Sequence, residues 1–168
     1  SWSDWRGYST VTTTVGGATA PRSEVKQLYF GPQRMKILEP AGFLAKAGAR
    51  IAFGSDWPVD ALDQWFAFKV GVTRTNAPEA PAEYRGRLGD DPGLSRETVL
   101  RAATINAAYE LHQDDSTGSL EAGKLADLIV LDRNPLTVPA EEIAKTKVIE
   151  TVVGGAVVYS EWIRAASP

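Results

Sequence analysis

The residues best placed to do chemistry lie at 49–59, where the chain reads A-R-I-A-F-G-S-D-W-P-V. The short, mostly apolar run Arg50–Phe53 stands between two glycines, which favours a strand buried on both faces. Such a strand would present Asp56 just beyond its end, a placement typical of one ligand of a metal site. A catalytic zinc needs about three protein ligands. The chain has one histidine and no cysteine, so the other ligands are not evident in it.

The composition bounds the class of protein. With 168 residues, 43% of them apolar and 23% charged, the chain is suited to one globular domain rather than to disorder. A net charge of -3 without a Lys/Arg cluster excludes nucleic acid as an expected partner. The sequence has no membrane-spanning apolar run and no signal-peptide pattern, so no membrane partner is expected and a cytoplasmic location is the default. The start at S-W-S-D-W indicates a processed, cloned or cleaved fragment, or loss of an initiator methionine.

Helices are predicted where capping residues precede apolar residues at helical spacing. The clearest helix spans Arg96–His112, with Ser95 as its N-cap. Two shorter pieces are predicted on either side of Pro40, the first beginning at Pro32 and the second ending at Gly48. Two more are predicted at 62–72 and 140–146.

Strands are predicted mainly in the C-terminal third of the chain. Leu125–Leu131 is a predicted strand, and 148–159 a predicted hairpin that turns at Gly154 and Gly155, because glycine adopts the positive φ angles of tight turns. The first 20 residues are interpreted as loop with a short β segment at Thr10–Val15, and the Pro-rich stretch Asn76–Gly93 as a surface loop. The order of elements predicts an α/β segment followed by a small β unit.

Four sequence blocks together resemble one known family. They are G-S-D-W-P-V at 54–59, A-A-T-I-N-A-A at 102–108, G-S-L-E-A-G-K-L-A-D-L-I-V-L-D at 118–132 and T-V-V-G-G-A-V-V-Y at 151–159. Their order and spacing are similar to those of the C-terminal part of the amidohydrolase superfamily. The match is to the amidohydrolase-3 branch, which includes N-substituted formamide deformylases and D-aminoacylase-like enzymes. The resemblance covers Gly31–Tyr159.

The resemblance implies an α/β fold that is the C-terminal fragment of a TIM-type (β/α)8 barrel plus part of a small β-sandwich. Residues 1–115 would form the last part of the barrel, 116–160 the C-terminal part of the composite sandwich and 161–168 a tail. Such barrels typically take about 250 residues. The family's H-x-H pair and later histidines have no counterpart here, so this chain is expected to hold only a portion of the enzyme.

The resemblance also implies a role for Asp56. In the family, the aspartate at this position binds the metal or hydrogen-bonds its water, acting as general base and then passing the proton to the leaving amine. The implied cofactor is a divalent metal, zinc in the first place, held by the complete enzyme and not necessarily by this chain alone. Gly54 and Ser55 are interpreted as turn residues that place Asp56. The alternative is that Asp56 caps a helix or orders the turn before Pro58.

Several other polar or aromatic residues have a functional and a structural interpretation. Trp57 either forms a wall of a substrate pocket or packs in the core, and Arg74 either faces a substrate carboxylate or forms a salt bridge. His112 is assigned to a helix end rather than to a metal site with Asp114 and Asp115. Asn106 is expected to donate or accept a hydrogen bond to a loop. Lys124 and Asp127 are interpreted as structural residues of a turn in the sandwich.

The leading hypothesis is the C-terminal portion of a metal-dependent hydrolase that cleaves an amide or related C–N bond of a small molecule through a metal-activated water. The isolated chain is expected to be inactive, because one carboxylate cannot hold a catalytic metal. The alternative is a non-catalytic truncated module that self-associates or binds a partner chain, since open strand edges near Arg50–Phe53 favour pairing. A third hypothesis is an active enzyme in which a second chain supplies the rest of the barrel.

Overall fold

Two compact units make up the described part of the chain. The computed structural model describes residues 8–15, 23–30, 36–55, 57–58, 61–82 and 85–165, with 8–15, 23–30 and 164–165 described by their backbone. The first unit comprises Ser1–Pro40 with Leu88–Asp91. The second comprises Ala41–Arg87 with Pro92–Pro168.

The first unit contains a β-hairpin. Strand β1 (Tyr8–Val15) pairs antiparallel with strand β2 (Ser23–Phe30), in a register that places Tyr8 opposite Phe30. The predicted β segment at Thr10–Val15 is confirmed, and it begins earlier than predicted. The expectation of loop is therefore wrong for the start of β1. Strand β2 was not predicted, although valine, tyrosine and phenylalanine in S-E-V-K-Q-L-Y-F favour a strand.

The two helical pieces predicted around Pro40 are confirmed only after it. Helix α1 (Ala41–Lys46) begins directly after Pro40 and ends before Gly48, whose φ of 91° is readily adopted by glycine. Residues 36–39 form a turn rather than a helix, and 31–35 lie outside the described residues. Pro40 accounts for the non-helical end of this turn, because the residue that precedes a proline is disfavoured in the helical region, and Glu39 has a φ of 50°.

The second unit is built around helix α2 (Gln64–Thr73), helix α3 (Arg96–Ala102) and a 3₁₀ helix (Ala140–Lys145). Helix α2 packs against both of the others. The buried core side chains are Phe68, Leu94, Val99 and Ile143. Partly buried apolar side chains pack around them, namely those of Ala41, Ala45, Ile51, Phe53, Trp65, Val72 and Val138.

Capping groups define both ends of α2. The Asp63 carboxylate accepts from the N–H groups of Trp65 (3.1 Å) and Phe66 (2.9 Å), which otherwise lack helical partners. At the other end Arg74 has a φ of 58°, and its N–H donates to the Val70 carbonyl at 2.7 Å. The helix predicted at 62–72 is confirmed, with its start at Gln64.

The prediction of a single helix over Arg96–His112 is wrong in its middle. Helix α3 ends at Ala102, and helix α4 (Ile105–Glu110) begins after Thr104, whose φ of -124° and ψ of -99° lie outside the helical region. The predicted N-cap is confirmed, since the Ser95 hydroxyl accepts from the Thr98 N–H at 3.1 Å. The apolar stripe continues through both helices, so the periodicity does not reveal the break.

A three-stranded antiparallel sheet forms the C-terminal part of the second unit. Strands β3 (Leu128–Leu131), β4 (Val148–Val153) and β5 (Ala156–Ser160) lie in that order. The predicted hairpin is confirmed, with φ of 57° at Gly154 and 82° at Gly155. The Asp127 carboxylate also accepts from the Gly154 N–H at 2.7 Å. The β3 strand starts later than the predicted Leu125, whose N–H donates to the Ser116 carbonyl instead.

The described strands do not establish the larger architecture. All strand pairs among them are antiparallel, so they show neither the parallel barrel strands nor a complete sandwich. Helix α5 (Glu161–Ala165) occupies most of the segment predicted as a tail. Within the described ranges, no helix is long and apolar enough to cross a membrane.

Asp132 connects the end of β3 with the residues before β4. Its carboxylate accepts from the Lys147 N–H at 2.8 Å and from the Arg133 guanidinium at 2.7 Å. Arg133 also lies 3.6 Å from Glu142. The hydrogen bonds from Arg133, and then that from the Lys147 N–H, lower the pKa of Asp132 from 3.8 to about 2.

Replacing Asp132 with asparagine should remove a pH-dependent stabilisation. Because folding lowers the pKa of Asp132, its stabilisation is complete above pH 3.8 and declines as the pH falls through that value to about 2. Urea unfolding of wild type and Asp132→Asn should show a constant stability difference near neutrality and a smaller one in acid. A difference that grows on acidification would contradict the assigned hydrogen bonds.

Candidate functional site

The segment that leads to Asp56 is irregular rather than a strand. Residues 50–55 belong to no helix or strand, so the prediction of a buried strand over Arg50–Phe53 is wrong for this structure. Ile51, Ala52 and Phe53 are half-buried, not buried on both faces. A strand requires a neighbouring strand to satisfy its backbone groups. Here helices provide partners for those groups instead.

Helices α3 and α4 hold this segment at three points. The Phe53 N–H donates to the Ala102 carbonyl at 3.2 Å. The Asn106 side-chain amide donates to the Ile51 carbonyl at 2.9 Å, which confirms the predicted bond from Asn106 to a loop. The Arg50 guanidinium lies 3.7 Å from the centre of the Tyr109 ring, within cation–π range. We call residues 50–53 with these contacts the anchored segment.

Helix α2 also contacts the anchored segment and the residues after it. A Cβ atom on Gly71 would lie 3.5 Å from the end of the Phe53 ring, so α2 passes close to this side chain. Beyond Phe53, Gly54 is exposed, and the Ser55 hydroxyl accepts from the Gln64 side-chain amide at 3.2 Å. Asp56, the predicted metal ligand and general base, lies outside the described residues.

The two predicted substrate-binding residues lie in different environments. Trp57 is 64% exposed, so it is not part of the core described above. Arg74 is 8% exposed and follows α2 in a left-handed conformation. The exposure of Trp57 contradicts its interpretation as a core residue, and its place in a substrate pocket stays a prediction. The burial of Arg74 favours a structural interaction over direct access to a small molecule.

The remaining predicted structural residues occupy the expected places. His112 is exposed and follows the last turn of α4, as expected for a helix end. The Lys124 ammonium donates to the Ser119 hydroxyl at 2.7 Å and lies 3.4 Å from Glu121. The Ser119 hydrogen bond and the charge of Lys124 lower the pKa of Glu121. In the part of the chain that is described, no group of three His, Cys, Asp or Glu side chains could hold a metal.

Lys69 is a structural residue that the sequence interpretation missed. It is 2% exposed, and its ammonium donates to the carbonyls of Thr75 (2.9 Å) and Asn76 (2.8 Å) and to the Thr75 hydroxyl (2.8 Å). The Glu141 carboxylate of the 3₁₀ helix lies 3.4 Å away. A lysine inside the apolar run W-F-A-F-K-V-G-V was the available signal, because buried lysines require partners.

Comparison with known proteins decides the family. A sequence model described as "Amidohydrolase family" matches residues 17–159. The chain belongs to the amidohydrolase family. The predicted membership of the amidohydrolase superfamily, amidohydrolase-3 branch, is therefore confirmed.

Curated amidohydrolase relatives match the chain over part of their own length. The N-substituted formamide deformylase of Arthrobacter pascens is 32% identical over 137 residues, which cover 81% of this chain and 24% of the relative. The 5-methylthioadenosine/S-adenosylhomocysteine deaminase of Moorella thermoacetica is 34% identical over 132 residues, 77% of this chain and 27% of the relative. The chain thus spans about a quarter of the length of these relatives.

A solved structure has a similar fold. The crystal structure of an amidohydrolase from Thermotoga maritima MSB8 superposes with a TM-score of 0.53 at 24% sequence identity. The superposition covers 79% of this chain and 31% of that one. At this identity the likeness concerns the fold alone.

Proposed function

We propose that this chain provides the C-terminal part of a metal-dependent hydrolase that cleaves an amide or related C–N bond of a small molecule. The observation that carries the proposal is the family match over residues 17–159, which contains the G-S-D-W-P-V segment. The formamide deformylase and deaminase names of the relatives support a C–N bond as the one cleaved. Residues 1–115 would belong to a barrel, 116–160 to a sandwich and 161–168 to a tail.

In this proposal, Asp56 is a metal ligand and the group that moves the proton. Its carboxylate would accept a proton from the attacking water and deliver it to the leaving nitrogen. A divalent metal, zinc by resemblance to the family, would supply the charge that lowers the pKa of that water toward about 7. Trp57 would contact the substrate. For Arg74 a substrate contact is the second assignment, because its burial favours a structural interaction.

The residues described in this chain do not by themselves fit a catalytic metal. The described ranges contain no suitable group of three ligands, and the whole chain has one histidine and no cysteine. A catalytic zinc typically takes about three protein ligands. We therefore assign one ligand, Asp56, to this chain and the others to residues outside it. On this proposal the chain alone is inactive, and a second polypeptide segment completes the site.

A non-catalytic module that self-associates or binds a partner chain is the second candidate. One observation favours it: the small sheet exposes several large apolar side chains, each about half exposed or more. They are Ile129, Val153, Val157 and Val158. Because successive residues of a strand point to opposite faces, these side chains are divided between the two faces of the sheet, and a partner chain could cover either face. These side chains would also be covered in an assembled enzyme, so their exposure does not distinguish the two candidate functions. Measurements of hydrolytic activity and of metal content do.

A chimera tests the proposal directly. This chain's aligned segment replaces the matching segment of the Arthrobacter pascens deformylase, whose remaining residues supply the rest of the enzyme. The chimera should bind metal and hydrolyse an N-substituted formamide. Asp56→Asn should then lower kcat by about 10² to 10⁴-fold, because a positioned proton carrier contributes that much. Circular dichroism should show that the fold is retained.

Asp115→Asn is the matched control, since Asp115 is an exposed carboxylate in a turn after α4. It should leave kcat and metal content unchanged. If Asp56→Asn turns over as fast as the unsubstituted chimera, the role proposed for Asp56 is wrong. A folded chimera that binds no metal and has no activity would favour the non-catalytic module.

A further inference from the structure

Oxygen atoms surround the Lys69 ammonium beside the turn that follows α2. The carbonyls of Thr75 (2.9 Å) and Asn76 (2.8 Å) and the Thr75 hydroxyl (2.8 Å) accept its hydrogen bonds. A primary ammonium has three N–H donors, so these neutral oxygens use all of them. The Glu141 carboxylate, 3.4 Å away, therefore balances the charge rather than accepting a further hydrogen bond. We call these four oxygen atoms the ammonium cage.

Hydrogen bonds within the chain orient the cage independently of the ammonium. The Thr73 hydroxyl donates to the Lys69 carbonyl at 2.9 Å and lies 2.8 Å from the Thr75 hydroxyl. Because the Thr73 proton is used in the first bond, the Thr75 hydroxyl donates in the second, and its lone pairs remain for the ammonium. The Thr75 N–H also donates to the Thr73 hydroxyl at 3.2 Å, and Thr75 forms an isolated β-bridge with Arg87. The turn is thus held by groups other than the ammonium.

The Lys69 side chain fills an enclosed space that ends at the cage. Lys69 is 2% exposed, and its ammonium lies 5.7 Å from the centre of the Phe66 ring, within cation–π range. The Glu141 side chain is 62% exposed, which places the cage next to the surface on the side of the 3₁₀ helix. Of the four carbon atoms in the lysine stem, alanine keeps one, so Lys69→Ala removes the atoms of one n-propylammonium ion.

We propose that the ammonium cage is a binding site for a primary alkylammonium ion, which the chain occupies with its own Lys69 side chain. Three acceptors match the three donors of such an ion, a carboxylate balances its charge, and the enclosed space fits an unbranched stem. The cage distinguishes cations by their N–H groups, because propyltrimethylammonium has the same charge and stem but no donor. Binding there does not depend on the proposed hydrolysis, so its test requires no catalytic activity.

Urea unfolding of Lys69→Ala with added n-propylammonium chloride tests the site. The variant should be less stable than wild type, and about 0.1 M n-propylammonium should raise its folding equilibrium constant at least about tenfold, because a ligand that binds only the folded chain stabilises it by mass action. Propyltrimethylammonium chloride at the same concentration should raise this constant less than about twofold. Wild type and Lys69→Met are the controls. Each should respond equally to the two salts, since both keep a long side chain in the enclosed space.

Thr75→Val in the Lys69→Ala background removes one cage oxygen at nearly constant volume. It should weaken binding of n-propylammonium at least about fivefold, because hydrogen bonds to charged groups contribute more than those between neutral groups. Thr137→Val in the same background is the matched control. The Thr137 hydroxyl is exposed and donates to the Asn134 carbonyl at 3.4 Å, outside the cage, so this substitution should leave binding unchanged.

Equal effects of the two salts on Lys69→Ala would overturn the proposal, since the cage would then not recognise N–H donors. An equal effect of Thr75→Val and Thr137→Val on binding would overturn it as well. If Lys69→Ala is unfolded in buffer, n-propylammonium should restore its helical circular dichroism signal and propyltrimethylammonium should not. Failure of n-propylammonium to restore that signal at concentrations up to about 0.5 M would contradict the proposal.

Discussion

Gly118→Ala should destabilise the chain by about 2 to 5 kcal/mol, because it combines backbone strain with overpacking. Gly118 has a φ of 85°, which costs a residue with a Cβ about 1 to 2 kcal/mol. A Cβ there would lie 2.6 Å from the Ala108 Cβ and 2.9 Å from the Ile105 Cα, both in α4. Neither atom can move unless the helix moves. Chemical unfolding monitored by circular dichroism measures the loss.

Gly123→Ala separates the two causes. Gly123 has a comparable φ of 95°, but a Cβ there would meet nothing within 4 Å. It should cost only the backbone strain, about 1 to 2 kcal/mol. Equal losses from the two substitutions would show that the contact of Gly118 with α4 contributes nothing. Because α4 carries Asn106, which donates to the Ile51 carbonyl, Gly118→Ala should also speed hydrogen exchange of the Phe53 amide.

Lys69→Met should destabilise the chain by about 2 to 3 kcal/mol, since it removes a donor while keeping most of the side-chain volume. The variant leaves the Asn76 carbonyl and both Thr75 oxygens without the ammonium that they now contact. It also removes the ion pair between Lys69 of α2 and the Glu141 carboxylate of the 3₁₀ helix. The free energy of unfolding from urea titration measures the effect.

Lys145→Met is the control for loss of a lysine from an ion pair. Lys145 is 66% exposed and lies 2.8 Å from Glu142. Exposed pairs of this kind contribute little, so the expected change is within about 0.5 kcal/mol. If Lys69→Met is as stable as wild type, the free-energy cost of burying the ammonium equals the stabilisation from its contacts. Lys69 then does not hold α2 in place.

Local signals in the sequence predicted the elements whose structure is determined locally. Ser95 caps α3, and the Gly154–Gly155 pair turns the C-terminal hairpin, because capping and positive φ depend on adjacent residues. The strand predicted at Arg50–Phe53 failed because strand formation depends on partners distant in sequence. The helix break at Thr104 contains no proline or glycine that would mark it in the sequence. It is accompanied by a hydrogen bond from the Phe53 N–H to the Ala102 carbonyl, which depends on residues distant in sequence.

The candidate site was predictable to a similar extent. The family blocks identified the amidohydrolase family, and the helix-to-loop bond of Asn106 was expected from its position in a helix. The partner of that bond, Ile51, could not be predicted, because the two residues meet only when the second unit packs. The roles of Asp56, Trp57 and Arg74 remain proposals that rest on the family and on the chimera described above.

Burial of Lys69 also makes this residue a reporter of partial opening. Trypsin cleaves after a lysine only when that side chain can leave its surroundings and enter the protease. Lys69 is enclosed by α2, the turn that follows it and the 3₁₀ helix, whereas Arg101 on α3 is exposed. A tryptic fragment that ends at Lys69 therefore comes from molecules in which this packing has opened. When closing is fast relative to cleavage, the rate at which that fragment accumulates measures the population of the open state.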